Sequence, residues 1–449
     1  MMNLTLSTIA EKVGKKVIGG TGEEKFKDIS IDSRTLEPSD LFVALKGPFN
    51  DGHDYLKDAM EKGAAAFVVE KKIPINKPYI LVEDSYKFLD QLAIFQRELF
   101  NGKVIGLTGS NGKTTTKEII YSLLEKEGCH KTKGNKNNHI GVPLTLASLT
   151  NRLKYAVIEI GTNSPGEINN LSAKVTPDIA LIINAAASHL EKLNSVEKVA
   201  KEKSYILRHL KSDGVAILPR DSEFFSYWKE KCVKKRIISF GSHQDSDICL
   251  SNVRSDFLKN KISFELNYAQ KSFKCSMNGV GVHNSMNACA ALAVCHALEI
   301  DLEEISFHLN KVTYPSRRME VHKGLKGSVL IDDSYNANPE SMKKSLDVME
   351  ELEGKKRIFI AGEMGELGEH QNFYHGEICK YTKGRVEEFL CIGKLWEEGI
   401  KHIPNIGRSF SCKDDLLDYL NTKVSKDSII LVKGSRSTGM DYIADKLKL

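Results

Sequence analysis

The sequence predicts an α/β protein of three domains, and three observations predict it. Short apolar runs alternate with helical stretches near the start of the chain and again towards its end, the mark of mostly parallel sheets covered by helices. Between about Asp247 and Gly281 the period changes to two: Ile262, Phe264 and Leu266, then Phe273, Cys275 and Met277, alternate with polar residues, as in a half-buried antiparallel hairpin or meander. A chain of 449 residues, at ~150 residues per domain, has room for about three such bodies. The divisions fall at 1–100, 101–313 and 314–449.

In chain order, the first domain holds strand-like runs at Leu41–Leu45, Ala66–Val69 and Tyr79–Val82, each short and apolar. Its opening stretch reads as an amphipathic helix, with Thr8-x-x-Glu11 as the capping box. The central domain opens on a buried strand, Val104–Thr108, followed by a helix from Lys113 to about Lys126, strands at Tyr155–Ile160 and Ile179–Asn184, and a helix near Val196–Leu210. The antiparallel stretch comes next, then a helix over Asn284–Ala297. Val312–Arg318 contains a proline and no apolar period, and reads as a linker. Beyond it, strands at Ser328–Ile331, Arg357–Ala361, Glu388–Ile392 and Ser428–Val432 alternate with helices, a Rossmann-like α/β domain.

Composition excludes several classes. Hydrophobic residues at 41% and charged residues at 27% are those of a globular chain. The net charge of +5 is spread rather than clustered, against a dedicated nucleic-acid binder. No apolar run reaches the ~18 residues of a membrane helix, and Glu11 and Lys12 interrupt any secretory h-region. Nine cysteines with no C-x-x-C read as reduced, cytoplasmic usage rather than a disulfide framework or zinc site.

The strongest motif is Gly106-Leu-Thr-Gly109-Ser110-Asn111-Gly112-Lys113-Thr114-Thr115-Thr116. A buried strand ends, glycines turn the chain and a helix begins, so backbone N–H groups and the helix N-terminus can surround a triphosphate. Lys113 would meet the β/γ-phosphates and the Thr114 hydroxyl would ligate Mg²⁺. The glycines fall three apart, with Leu107 where the strict spacing has glycine. Glu159 ends an apolar strand, at the ligand edge of a parallel sheet, and is a candidate Mg²⁺ ligand; taken by itself it reads more readily as an exposed strand-end carboxylate. His189 follows the next apolar strand, and its alternative is a structural or exposed histidine. Lys203 lies in Ala200-Lys-Glu-Lys203-Ser-Tyr, by composition one cation on a charged helical face.

Together these residues resemble the Mur ligases, ATP-dependent amide-forming enzymes of peptidoglycan precursor synthesis. The resemblance rests on Thr108-Gly-Ser-Asn-Gly-Lys-Thr-Thr, Glu159, His189, Lys203 and Gly281-Val-His283-Asn284-Ser-Met-Asn287. Three further segments point to the member that adds D-alanyl-D-alanine to UDP-N-acetylmuramoyl tripeptide: Asp332-Asp-Ser-Tyr-Asn-Ala-Asn-Pro339-x-Ser341-Met, Asn135-Lys-Asn-Asn138-His-Ile-Gly-Val-Pro143 and Lys433-Gly-Ser-Arg436. Asp32-Ser-Arg34 with Asp51-Gly-His-Asp54 resembles the uridine-nucleotide module of two branches of the family.

The resemblance implies roles. Gly109, Ser110, Asn111, Gly112, Lys113, Thr114 and Thr115 would bind ATP, with Asn284 and Asn287 at the adenine, Asp333 at the ribose and Arg318 reaching the phosphates from the hinge. Lys203 would carry a carbamate that, with His189, holds the second of two Mg²⁺ ions; Thr114 and Glu159 complete the metal set. Ser33, Arg34, Gly47, Asn50, Asn135 and Asn138 would hold the UDP-linked substrate. Tyr335, Asn336, Asn338, Lys433, Ser435 and Arg436 would surround its carboxylate and the incoming dipeptide. The implied catalytic set is Lys113, Glu159, His189, Lys203 and Arg318, in a cytoplasmic monomer with small-molecule substrates, no nucleic acid and no membrane span. Departures from the family pattern are Ser204-Tyr205 after the lysine, Pro219-Arg220-Asp221, and Arg317 before the hinge arginine.

Other readings have their own signatures. A P-loop switch protein needs a guanine-specifying Asn-Lys-x-Asp or a long partner surface, and neither is found. A sister ligase adding a single amino acid shares most of the motifs. A folylpolyglutamate-type ligase leaves Asp32-Ser-Arg34 and Asp332–Met342 unexplained, and a non-catalytic UDP-sugar-peptide binder leaves Lys113, Glu159, His189 and Lys203 unexplained.

Overall fold

The structure is a computed structural model that describes residues 4–74, 76–257, 259–352 and 355–449. It contains three sheets, of five, nine and six strands. By contacts the chain forms two compact units.

The first unit comprises residues 1–106, 124–161 and 169–178. Its five-stranded sheet has the order Val17–Ile18, Tyr79–Leu81, Ala66–Val69, Leu41–Val43, Ile29–Ser30. Neighbours are parallel except for Val17–Ile18, which runs antiparallel to Tyr79–Leu81. The central strands Leu41–Val43 and Ala66–Val69 are apolar throughout because both their faces are covered. Leu41, Val43, Ala66 and Val68 join Ile9, Phe88 and Leu92 in one buried cluster, while Phe42, Phe67 and Val69 join Leu56 and Ala59 in another. Each such Val, Leu, Ile or Phe side chain contributes roughly 1.5–3 kcal/mol by leaving water. The helix Ser85–Leu99 starts at Asp84, whose carboxylate accepts from Tyr86 N and Lys87 N. Near its other end Arg97 donates to Val175 O (2.8 Å), Thr176 O (2.8 Å) and Asp178 Oδ2 (3.1 Å).

The first helix corrects one expectation. It runs Leu6–Lys12, and its N-cap is Thr5, whose hydroxyl accepts from Thr8 N. Leu6 is fully buried and belongs to the helix, so the start is drawn towards the N-terminus and Thr8 falls inside the first turn.

The second unit comprises 107–123, 162–168 and 179–449. Within it, six strands of the nine-stranded sheet follow the order Lys271–Asn278, Lys261–Tyr268, Ile248–Asp256, Arg236–Gly241, Val215–Pro219, Ile179–Ile182. The first three strands form the antiparallel meander that the period-two pattern predicts. Ile262, Phe264, Leu266, Cys275 and Met277 are its buried side.

The six-stranded sheet has the order Glu320–Lys323, Val329–Asp333, Ser428–Lys433, Lys356–Gly362, Glu388–Ile392, Gly407–Phe410. Only its first strand is antiparallel. Ser428–Lys433 lies between two strands earlier in the chain, and Lys433 is in register with both Asp333 and Ala361. The loops after these three strands therefore leave from one edge of the sheet, where ligands of open α/β sheets bind. Beneath them Ile331, Met342, Leu367 and Leu431 share a core with Leu190, Leu193 and Val199.

Candidate active site

In the second unit the chain leaves the buried strand at Thr108 and enters the helix Lys113–Leu124 through a loop held from outside. Ser110 N donates to Asn184 O (3.2 Å), Asn111 N donates to Asn184 Oδ1 (2.9 Å), and Asn184 Nδ2 returns a bond to Asn111 O (3.1 Å). Ser110 Oγ donates to Ala186 O (3.1 Å) and accepts from Ser188 Oγ (2.9 Å). Gly112 has φ +78°, and a Cβ there would stand 2.4 Å from Asn287 Oδ1. Asn287 in turn donates to Asn284 Oδ1 (3.4 Å), and Asn284 to Val280 O (2.8 Å). The helix Val282–Ala297 thus brings both asparagines against the glycine loop. The Lys113 ammonium folds back on the loop, donating to Gly109 O (2.7 Å) and Ser110 O (3.3 Å).

Around this loop the charged residues converge. Lys203, on the helix Val196–Arg208, is 1% exposed. Loss of water and the nearby Lys113 cation push its ammonium well below the usual lysine range, with Glu202 opposing. Glu202 is occupied in taking Gly166 N (2.8 Å) and Ile168 N (2.9 Å). Arg318 donates to Thr114 Oγ1 (3.3 Å) and lies 4.1 Å over the Tyr335 ring. Asn338 Nδ2 donates to Asn111 Oδ1 (2.8 Å), while its Oδ1 caps the helix Pro339–Glu350 by accepting from Ser341 N. His189 Nδ1 lies 2.5 Å from Glu366 Oε2. The contact with His189 lowers the Glu366 carboxyl against the opposing effect of burial, with Lys113 and Lys192 adding to the lowering.

Other expected residues are engaged differently. Asp333 accepts from Lys433 Nζ (2.5 Å), Ser345 Oγ (2.9 Å) and Met319 N (3.2 Å). It thus ties the hinge to two strand ends within the protein. Lys433 also donates to Asn336 O (3.1 Å), and the Asn336 side chain is exposed. Ser435 Oγ accepts from Gly365 N (2.6 Å), and Arg436 pairs with Asp441 (2.8 Å) at the surface. Arg317, the departure before the hinge arginine, pairs with Asp445 (3.0 Å) and Asp332 (3.5 Å). Thr115 is buried in the first turn of the P-loop helix.

In the first unit, Glu159 ends its strand 1% exposed. Asn137 Nδ2 donates to its Oε1 (2.7 Å), and its backbone N donates to Thr132 Oγ1 (3.0 Å). It is therefore a buried carboxylate rather than the exposed strand-end residue of the alternative reading. Asn138 Oδ1 accepts from Ile140 N (3.1 Å) and Gly141 N (3.0 Å), starting the helix Gly141–Ala147; Asn135 is exposed on the same loop. Ser33 is buried, while Arg34 is exposed and grips Asp32 with two nitrogens (2.9 and 2.8 Å). That grip holds the Asp32 carboxyl down at about 2. Gly47 N donates to Asn50 O (2.8 Å), closing a tight turn.

Sequence reasoning missed Asn137, Asn184 and Glu366. Asn137 sits inside a quoted motif, and its signal was its place between two named asparagines. The other two carry no local pattern. A further trio of metal-ligand types, Glu320, His322 and Asp332, is compensated by Arg317 (3.5 Å from Asp332) and by Lys448 (3.3 Å from His322). It reads as an ion-pair network.

A glycine loop between buried strand and helix, met by Arg318 and Asn338 from beyond the linker, defines the class: a multidomain P-loop protein. Three family models match the chain: Mur ligase family, catalytic domain, over residues 25–97; Mur ligase middle domain over 107–295; and Mur ligase, glutamate ligase domain, over 317–436. The chain is 37% identical over 453 residues to the UDP-N-acetylmuramoyl-tripeptide–D-alanyl-D-alanine ligase of Buchnera aphidicola subsp. Acyrthosiphon pisum, covering 100% of this chain and 98% of the relative. It is 34% identical to the protein of that name from Bacillus subtilis, covering 100% and 99%. Among solved structures, MurF from Acinetobacter baumannii superposes with a TM-score of 0.89 at 30% identity, over 99% of this chain and 98% of that one. MurF ligase from Thermotoga maritima in complex with ADP gives 0.80 at 28% identity, over 94% and 96%. The chain belongs to the Mur ligase family.

Proposed function

We propose that this chain is an ATP-dependent amide ligase that joins D-alanyl-D-alanine to the terminal carboxyl of UDP-N-acetylmuramoyl tripeptide, a step of peptidoglycan precursor synthesis. The observation that supports it best is the pair of cations at the glycine loop: Lys113 folded onto Gly109 O and Arg318 on Thr114. Both reactants of the first step are anions, so counter-charge and positioning carry most of the catalysis. The substrate carboxylate attacks the γ-phosphorus of ATP in line, and ADP leaves. The amine of the dipeptide then attacks the carbonyl carbon of the acyl-phosphate, a proton is lost from nitrogen, and the tetrahedral species expels phosphate. Lys113 would swing from its loop carbonyls onto the β/γ-phosphates. Arg318, steadied by the Tyr335 ring, would reach the same oxygens, while Asn284 and Asn287 would face the adenine.

The donor set fits Mg²⁺. The Thr114 hydroxyl and the Glu159 carboxylate are hard oxygen ligands. Two Mg²⁺ ions, when bound, would neutralise triphosphate charge. Lys203 would act as a carbamate: burial and the nearby Lys113 lower its basicity, which favours the neutral amine, the form that adds CO₂ with loss of a proton. Ser33, Arg34, Gly47, Asn50, Asn135 and Asn138 would hold the UDP-linked substrate. Tyr335, Asn336, Asn338, Lys433, Ser435 and Arg436 would line the path of the dipeptide. In this reading the domains are 1–100, 101–313 and 314–449, in a monomer that works in the cytoplasm.

The test is a donor screen with ATP, Mg²⁺ and UDP-N-acetylmuramoyl tripeptide carrying either lysine or diaminopimelate third. D-Ala-D-Ala should be consumed with one phosphate released per pentapeptide. A single amino acid serving while the dipeptide fails would move the chain to a sister ligase. In the same assay Lys203→Ala should lose ligation, with partial recovery on adding a short carboxylic acid; full activity without the acid would remove the carbamate.

A further inference from the structure

We propose that Arg317 is a positioning residue for Arg318. Its guanidinium ties the hinge to the helix Asp441–Leu447, and its carbonyl holds the backbone of Tyr335, whose ring lies under the Arg318 guanidinium. This rests on the reading of Arg318 as a group that meets the phosphates of ATP.

Arg318 stands between two residues of left-handed backbone, Arg317 at φ 61° and Met319 at φ 54°. That conformation is unfavourable for a residue with a Cβ and persists where the surroundings enforce it. Here the backbone is held at three points. Arg317 N donates to Glu320 Oε2 (3.0 Å), Tyr335 N donates to Arg317 O (3.1 Å), and Met319 N donates to Asp333 Oδ1 (3.2 Å). The Arg317 side chain adds a further hold. Its Nη2 donates to both carboxylate oxygens of Asp445 (3.1 and 3.0 Å) and its Nη1 to Asp441 O (3.3 Å). Nη1 also lies 3.5 Å from the buried Asp332 carboxylate.

The far end of this tie is fixed. Ile443, Ala444 and Leu447 of the helix share a core with Leu330, Ile430 and Val432 of the six-stranded sheet. The near end is Arg318, which donates to Thr114 Oγ1 (3.3 Å) and lies 4.1 Å over the Tyr335 ring. Its Nε is buried without a hydrogen-bond partner among the described residues, so the aim of the guanidinium depends on its neighbours. Arg317 sets two of them: the peptide that leads into Arg318, and the residue whose ring supports it. A misplacement of about 1 Å at a reacting group can cost on the order of 100-fold in rate, which makes the hinge backbone part of the positioning of Arg318.

The test uses full-length protein, calorimetric titration with Mg²⁺ and a non-hydrolysable ATP analogue, and steady-state ligation. Asparagine tolerates left-handed backbone but lacks the reach to Asp445, so Arg317→Asn removes the tie and spares the turn. It should bind the analogue roughly tenfold more weakly and raise the KM for ATP. Arg317→Lys, which restores the cation, should recover most of both. Asp445→Ala, altered at a side chain 61% exposed, should weaken binding by a factor of about two to five. Because Arg317 acts through Arg318, adding Arg317→Asn to Arg318→Ala should lower the affinity no further. Unchanged affinity in Arg317→Asn or in Asp445→Ala, while Arg318→Ala weakens binding, would overturn the role of Arg317, and so would losses from the two arginines that add. Unchanged affinity in Arg318→Ala would overturn Arg318 as a phosphate ligand, and this proposal with it.

Discussion

At Gly112 a positive φ of +78° and the 2.4 Å approach to Asn287 leave no room for a side chain. Gly112→Ala should therefore lower ATP affinity at least about tenfold, roughly 1.4 kcal/mol, in calorimetric titration of the folded variant; an unchanged affinity would show that the loop can yield. His283 gives a pH prediction. Burial and the cations Lys344 and Lys433 push its imidazole down to about 4, with Asp333 opposing. The unfolded chain, with a histidine near 6.5, binds more protons between those values. Stability should be complete above pH 6.5 and fall as pH drops towards 4, and His283→Gln should flatten that slope in urea titrations at stepped pH. The strand–loop–helix junction at Lys113 was legible in the sequence because a buried apolar run, clustered glycines and a helical stretch follow one another there. Glu366 was not, because a carboxylate on a loop carries no pattern and its partner lies 177 positions away in the chain, between His189 and Glu366.

Among elements, the helix Pro339–Glu350 shows how one residue serves structure and site together. Asn338 forms a capping box with Ser341 and also donates to Asn111 on the glycine loop. Asn338→Ala should cost about 1–2 kcal/mol in denaturant unfolding. Asn338→Asp keeps the cap oxygen and loses only the donor to Asn111, so it should cost clearly less; equal losses would mean the cap contributes little. Strands buried on both faces, such as Ala66–Val69 and Glu388–Ile392, stand in the structure where their apolar runs predicted them. The edge strands Glu320–Lys323 and Gly407–Phe410 escaped notice, since their half-exposed residues keep no apolar period. The cap of the first helix was misplaced for a related reason: the burial of Leu6, a tertiary fact, decided where that helix begins.

For the whole molecule, apolar runs supplied many of the strands, though not Val215–Pro219, Arg236–Gly241 or Cys129–Lys131, and could not order them. Lys433 enters the sheet beside Asp333 across 100 residues of chain, and only that crossover brings the three loop ends to one edge. The proposed chemistry depends on this convergence, because in that reading Lys113 comes from the P-loop and Arg318 from the start of the chain that builds the six-stranded sheet, and both are needed at the triphosphate. Ligation through an acyl-phosphate makes a demand that simple coupling of ATP hydrolysis to binding does not: an oxygen must pass from the peptide carboxylate to phosphate. The most direct measurement uses UDP-N-acetylmuramoyl tripeptide labelled with ¹⁸O in its terminal carboxylate, with ATP and D-Ala-D-Ala, and mass analysis of the released phosphate. One ¹⁸O per phosphate is the expected result. Pentapeptide formed with unlabelled phosphate would contradict attack by the carboxylate on ATP.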